Sequence, residues 1–231
     1  MPLDNQVTRY PNGVTNKFDN DIFTNLKVAD RSIYHDYFED FDRYTAAQWV
    51  AGGVNPVAPA LVAGDGGIIS MATTGASGDS NFLQQLVTAW TFVAGKKIFF
   101  RARAQVDDAT LAQFSLGLQI AVAGNNFLTP ADGVFIRKPA ADTNMYLVSR
   151  VGSVETLSAS LGVVTAGTQF EVSFAYDGQG NIAAAVNGQV KASITPASIA
   201  AVAMRVTAGV QAGSAVARTM LLDQLVCMKE R

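Results

Sequence analysis

Apolar and polar side chains alternate one for one through most of the chain, most regularly over residues 170–194. Phe170, Val172, Phe174 and Tyr176 alternate with Glu171, Ser173, Ala175 and Asp177, a period of two that predicts a strand with one buried face. Asp177-Gly178-Gln179-Gly180 supplies the positive φ angles of a short hairpin loop, and Ile182, Ala184 and Val186 start the partner strand. Asn187-Gly188 is the preferred pair for a type I′ turn, after which Val190, Ala192 and Ile194 form the inward face of a third strand. Three antiparallel strands joined by two tight turns need a second layer to bury their apolar face.

The same period recurs along the chain. Ile98, Phe100, Ala102, Ala104 and Val106 point one way, with Phe99, Arg101, Arg103 and Gln105 the other. Phe114, Leu116, Leu118, Ile120 and Val122 follow, and Met204, Val206, Ala208 and Val210 repeat the theme. Shorter strands are predicted around Leu61-Val62 and over 68–72, 81–87, 134–138, 145–151 and 154–157, with a final strand over 218–228. An opening strand over 36–44 would place Phe38, Asp40, Asp42 and Tyr44 on one face. Pro196 to Val202 reads as a helical turn. Roughly a dozen short strands separated by turns, without a long helix, predict an all-β antiparallel sandwich or jelly roll.

Residues 1–35 differ from the rest. Asn5, Asn12, Asn16, Asn20 and Asn25 recur among Asp4, Asp19, Asp21 and Asp30. Ile22, Leu26, Ala29 and Ile33 fit one face of a short helix, with Asp19 or Asn20 as N-cap. This segment is read as an extended N-terminal arm, and 36–231 as the β-sandwich domain. The arm's Tyr10, Val14, Phe18, Ile22 and Phe23 are too many apolar groups for an inert linker, and they are the candidate partner-binding residues.

Composition narrows the function. Of 231 residues 49% are apolar and only 16% charged, so a large core is affordable while the surface is poor in charge, as when partners cover it. A net charge of −2 gives no electrostatic case for nucleic acid or an anionic membrane. The single cysteine, Cys227, lies in an apolar strand and reads as a small buried hydrophobe. The N-terminus has no basic start with an apolar run, and no stretch reaches membrane-spanning length, so the expectation is a soluble protein made in a cytosol.

Three features together suggest a family. They are Phe38-Glu39-Asp40-Phe41-Asp42 ahead of Trp49, the Asp-Gly/Asn-Gly meander at 177–188, and Leu221-Leu222-Asp223-Gln224-Leu225-Val226 near the end. Over 36–231 this order resembles the concanavalin-A-like (lectin-like) jelly roll, which implies that the first and last strands pair, 38–44 beside 218–227. Arg9-Tyr10-Pro11-Asn12-Gly13-Val14-Thr15-Asn16, leading into Tyr37-Phe38-Glu39-Asp40-Phe41-Asp42, resembles structural proteins of tailed bacteriophages, many of them capsid decoration (cement) proteins. That resemblance implies a homotrimer on the outer capsid surface of the virion. Its arm would grip the major capsid protein or neighbouring copies of itself. The alternatives are a carbohydrate-binding module for host attachment, with glycan as ligand, and a tail-associated structural part.

The chemistry is sparse. Glycosidases need two converging carboxylates, on this fold from an E-x-D-x-E strand, but Glu39, Glu155, Glu171 and Glu230 stand apart in the sequence. His35 is the only histidine, which leaves no Ser-His-Asp or Cys-His arrangement in view. No phosphate or dinucleotide loop is present. The expectation is that the chain is not an enzyme and carries no cofactor. One Cys and one His exclude zinc in practice. Calcium needs only oxygen ligands, and Asp40 and Asp42 with Asp223 across the first–last pairing are the candidate set, against the commoner outcome of solvent-facing acids. Arg101, Arg103, Arg137, Arg150 and Arg205 fall on outward faces, open to glycan or protein contact or simply solvated; Trp49 and Trp90 are candidates for sugar stacking or for the core.

Overall fold

The structure is a computed structural model that describes residues 34–64 and 66–231. The expected arm helix and Tyr10, Val14, Phe18, Ile22 and Phe23 lie outside the described residues. In chain order the strands are β1 (Tyr34–Glu39), β2 (Trp49–Gly52), β3 (Ala60–Val62), β4 (Ile68–Ala72), β5 (Ser80–Gln85) and β6 (Ile98–Val106). Then come β7 (Ala112–Gln119), β8 (Gly133–Lys138), β9 (Asn144–Val151), β10 (Val154–Leu157) and β11 (Gly162–Val163). The series ends with β12 (Phe170–Tyr176), β13 (Ile182–Val186), β14 (Gln189–Ile194), β15 (Arg205–Ala212) and β16 (Thr219–Glu230).

Two antiparallel sheets form. The first runs β14-β13-β12-β6-β16-β4-β3 with β1 also on β16, and the second runs β10-β9-β8-β7-β15-β5-β2 with β11 on β9. The chain crosses between sheets at β4–β5, β6–β7, β11–β12, β14–β15 and β15–β16, the signature of a sandwich rather than two hairpin stacks. The core is the meeting of the two alternating apolar faces. Phe100 stacks on Phe174 with ring centroids 5.2 Å apart, and Phe114 on Phe170 at 5.4 Å. Each ring is buried, worth on the order of 2–3 kcal/mol apiece. Trp49 and Trp90 belong to this core, so neither offers a sugar platform. Cys227 is fully buried within it, and burial pushes its thiol well up.

The 170–194 meander forms as its pattern predicts, with Asn187 at φ 51° and Gly188 at φ 75° in the tight turn. One detail differs. The β13–β14 register slips between Ala184 and Ala185, so Val190 lies opposite Ala185 on the outer face and is 50% exposed, while Ala192 and Ile194 face inward. One extra residue reverses the side of everything beyond it.

The first and last strands pair, from Tyr34 opposite Glu230 to Glu39 opposite Leu225. The opening strand is shorter than its alternation predicts. It ends at Glu39, and Phe41 turns over at φ 56° to bury its ring against Trp49. The Glu39 carboxylate accepts the Phe41 N–H and holds that turn. No helical turn forms at 196–202.

Candidate functional site

The outer face of the second sheet is built from the residues that alternate with its core side chains. β7 contributes Ser115, Gly117 and Gln119; β15 contributes Thr207 and Gly209; β5 contributes Phe82 and Gln84; β8 and β9 contribute Phe135, Arg137, Val148 and Arg150. The connection from β7 to β8, residues 120–132, folds back across this face. Its short 3-10 turn, Asn126–Leu128, buries Phe127 completely.

Phe127 lies over Gly209, where a Cβ would come within 2.5 Å of its ring, and tilts against Phe82 at 6.1 Å between centroids. Only a residue without a side chain leaves room for that ring. The Phe127 carbonyl accepts hydrogen bonds from Ser115 Oγ and Gln119 Nε2, both at 2.8 Å. Gln84 Nε2 donates to the Ile120 carbonyl at 2.8 Å, and its Oε1 accepts the Val122 N–H at 3.2 Å. Arg137 donates to the Leu128 carbonyl at 3.2 Å and Arg150 to the Pro130 carbonyl at 2.6 Å. The buried amides and hydroxyl of this face therefore serve the chain's own loop, as buried polar groups must be satisfied.

Beside the loop, Glu155 of β10 is held by two guanidinium groups. Arg137 grips both carboxylate oxygens at 2.9 and 2.7 Å, and Arg150 reaches one at 2.8 Å. Burial would raise the Glu155 carboxyl, but the hydrogen bonds and charges of Arg137 and Arg150 outweigh it and hold the carboxyl below its ordinary value. The trio carries one net positive charge. Tyr146, opposite Arg137 on β9, donates its hydroxyl to Asp142 at 2.8 Å. Glu155 is the only carboxylate carried by the strands of this sheet.

The predicted acid set is not brought together. Asp40 and Asp42 lie past the end of β1, in the turn made by Phe41. Asp223 is the extra residue of a bulge between Leu222 and Gln224 in β16, where Gln169 donates to it at 2.6 Å and Arg103 at 3.4 Å. Among the described residues no group of three or more acids, histidines or cysteines could hold a metal ion. The expectation of a shared strand face failed because alternation was extended through a residue with positive φ. His35 faces inward and stacks on Trp90 at 4.7 Å; burial, then nearby Arg231, lowers its pKa. Of the five arginines, Arg101 and Arg103 stand on the outer face of the first sheet, and Arg137, Arg150 and Arg205 on that of the second. The 120–132 loop was missed as a feature of this face, although Phe127 inside a Gly/Asn-rich connection is the one signal that could have revealed it.

No protein-family model matches the sequence, and no curated protein matches it. Solved structures do. The β-glucanase of Bacillus licheniformis aligns with TM-score 0.60 at 15% identity, over 83% of this chain and 96% of the enzyme. The carbohydrate recognition domain of Emp47p aligns with TM-score 0.60 at 11% identity, over 86% and 98%. That of Emp46p in its potassium-bound form aligns with TM-score 0.54 at 9% identity, over 81% and 93%. These likenesses correct the expectation that the chain is not an enzyme: the same architecture serves a glucanase, so a missing E-x-D-x-E strand does not decide the question. Catalytic pairs are made by tertiary placement, and flanking loops can supply carboxylates that strand spacing does not reveal. What the likenesses share with this chain is an antiparallel concanavalin-A-like jelly-roll sandwich.

Proposed function

We propose that the chain acts by adhesion as a structural protein of a tailed-bacteriophage virion, in the manner of a capsid decoration protein that lies on the outer capsid surface and stabilises the head. The observation that carries this reading is where apolar surface is left. The 120–132 loop closes the face of the second sheet, whereas exposed apolar side chains collect at sheet edges. Leu61 and Val62 stand on β3, and Val154, Leu157 and Val163 on β10 and β11. An edge strand with apolar side chains and unpaired backbone groups is a template for another protein surface. Its partners would be the major capsid protein and further copies of the chain. An interface of roughly 800 Å² per partner is the usual scale for such a contact. Particle purification tests this. The chain is expected to sediment with intact heads, and the pairs Leu61→Glu/Val62→Glu and Val154→Glu/Leu157→Glu to lower its occupancy. Wild-type chain found only free of particles overturns the proposal.

A second reading, glycan binding in host attachment, is favoured by the likeness to carbohydrate recognition domains and by Tyr146 beside Arg137 on an outer face. Binding on a glycan array that is lost in Tyr146→Ala would establish it; an array without signal would remove it.

A further inference from the structure

The outer face of the first sheet carries a second apolar cluster. Tyr34, Phe99, Ala175, Ala185, Val226 and Met228 point away from the core, because their strand neighbours Ile98, Phe100, Phe174, Ala184 and Cys227 point into it. These outward side chains are nonetheless 0–9% exposed. An uncovered phenylalanine on a sheet face keeps much of its ring in water, and Phe99 at 6% does not. The burial is bounded: Phe38 on the same face of β1 is 56% exposed, and Val190 beyond Ala185 is 50% exposed. Arg101, between Val226 and Ser173, shares it, since burial is the largest influence on its guanidinium and lowers its pKa. Among the described elements, those packed against β6, β12, β13 and β16 are their sheet neighbours and strands of the second sheet. No other molecule is present.

We propose that this strip, from β13 across β12 and β6 to β16, is the docking site of the chain's own N-terminal segment, residues 1–33. The strip begins at Tyr34, which is both a member of the cluster and the residue that continues from Ile33. Four strands span roughly 15–20 Å, and 33 residues reach at most about 110 Å when extended, so the segment can cross and return. It brings Tyr10, Val14, Phe18, Ile22 and Phe23 as apolar counterparts. This inference does not rest on the virion reading, because docking within one chain needs no particle.

The test is trypsin cleavage of the isolated full-length protein at Lys17, Lys27 and Arg31. Cleavage is expected to be about tenfold or more faster in Phe18→Asp/Phe23→Asp, which leaves the sandwich intact, and in Phe99→Asp. Near-ultraviolet circular dichroism should show both variants folded. Should Phe99→Asp fail to fold, the arm variant decides. Equal cleavage rates in the wild type and the arm variant overturn the proposal. So does protection that disappears on dilution, which would mean that the segment is held by another copy.

Discussion

Phe127 and Gly209 form the pair on which the closed outer face depends. Removing the ring in Phe127→Ala leaves a cavity between Phe82 and Gly209, and a loss of about 3–5 kcal/mol is expected in urea unfolding. Gly209→Ala is expected to free the 120–132 loop instead, seen as faster hydrogen exchange at Ile120 and Val122 while the strands stay protected. Glu155 gives a second residue-scale prediction. Its carboxyl is held below the ordinary glutamate value by Arg137 and Arg150, so its contribution is full above that ordinary value and is lost as pH falls through the folded one. Glu155→Gln should therefore cost about 1–3 kcal/mol at neutral pH, with the gap to wild type closing in acid. Lys138 behaves oppositely. Burial, opposed by Asp108 and Asp142, lowers its ammonium to about 8 from 10.5, and it donates to the Thr110 carbonyl at 2.6 Å. Below pH 8 both folded and unfolded chains hold the proton. Between 8 and 10.5 only the unfolded chain does, so stability rises with pH by up to roughly 3 kcal/mol. Thermal melts of wild type against Lys138→Met across that window isolate the effect, since other titrating groups cancel.

At the scale of elements, two bulges decide which side chains face where. In β16 the extra residue is Asp223; before it Met220 and Leu222 face inward, and after it Leu225 and Cys227 do. Deleting Asp223 restores strict alternation and turns Leu225 and Cys227 outward, and the expected outcome is loss of cooperative folding by circular dichroism. Asp223→Ala keeps the residue count and removes only partly exposed bonds to Gln169 and Arg103, so a cost below about 1 kcal/mol is expected. The slip in β14 has the same logic and sends Val190 outward. Strand positions and the Asn187-Gly188 turn were legible in the sequence because alternation and positive-φ turn residues are local. The bulges were not, because an inserted residue is recognisable only against its partner strand.

For the molecule as a whole, β16 is the element that ties the first sheet together, pairing with β6 on one side and with β4 and β1 on the other. The sequence by itself determined an all-β sandwich, its meander, the inward aromatic rows and the pairing of first and last strands, because a period of two commits each side chain to a face. Only tertiary structure decided that the 120–132 loop closes one outer face, that Glu155 gathers Arg137 and Arg150, and that Asp40, Asp42 and Asp223 stay apart. Those outcomes depend on contacts between residues distant along the chain, where loop direction and bulge position, rather than alternation, set which groups meet.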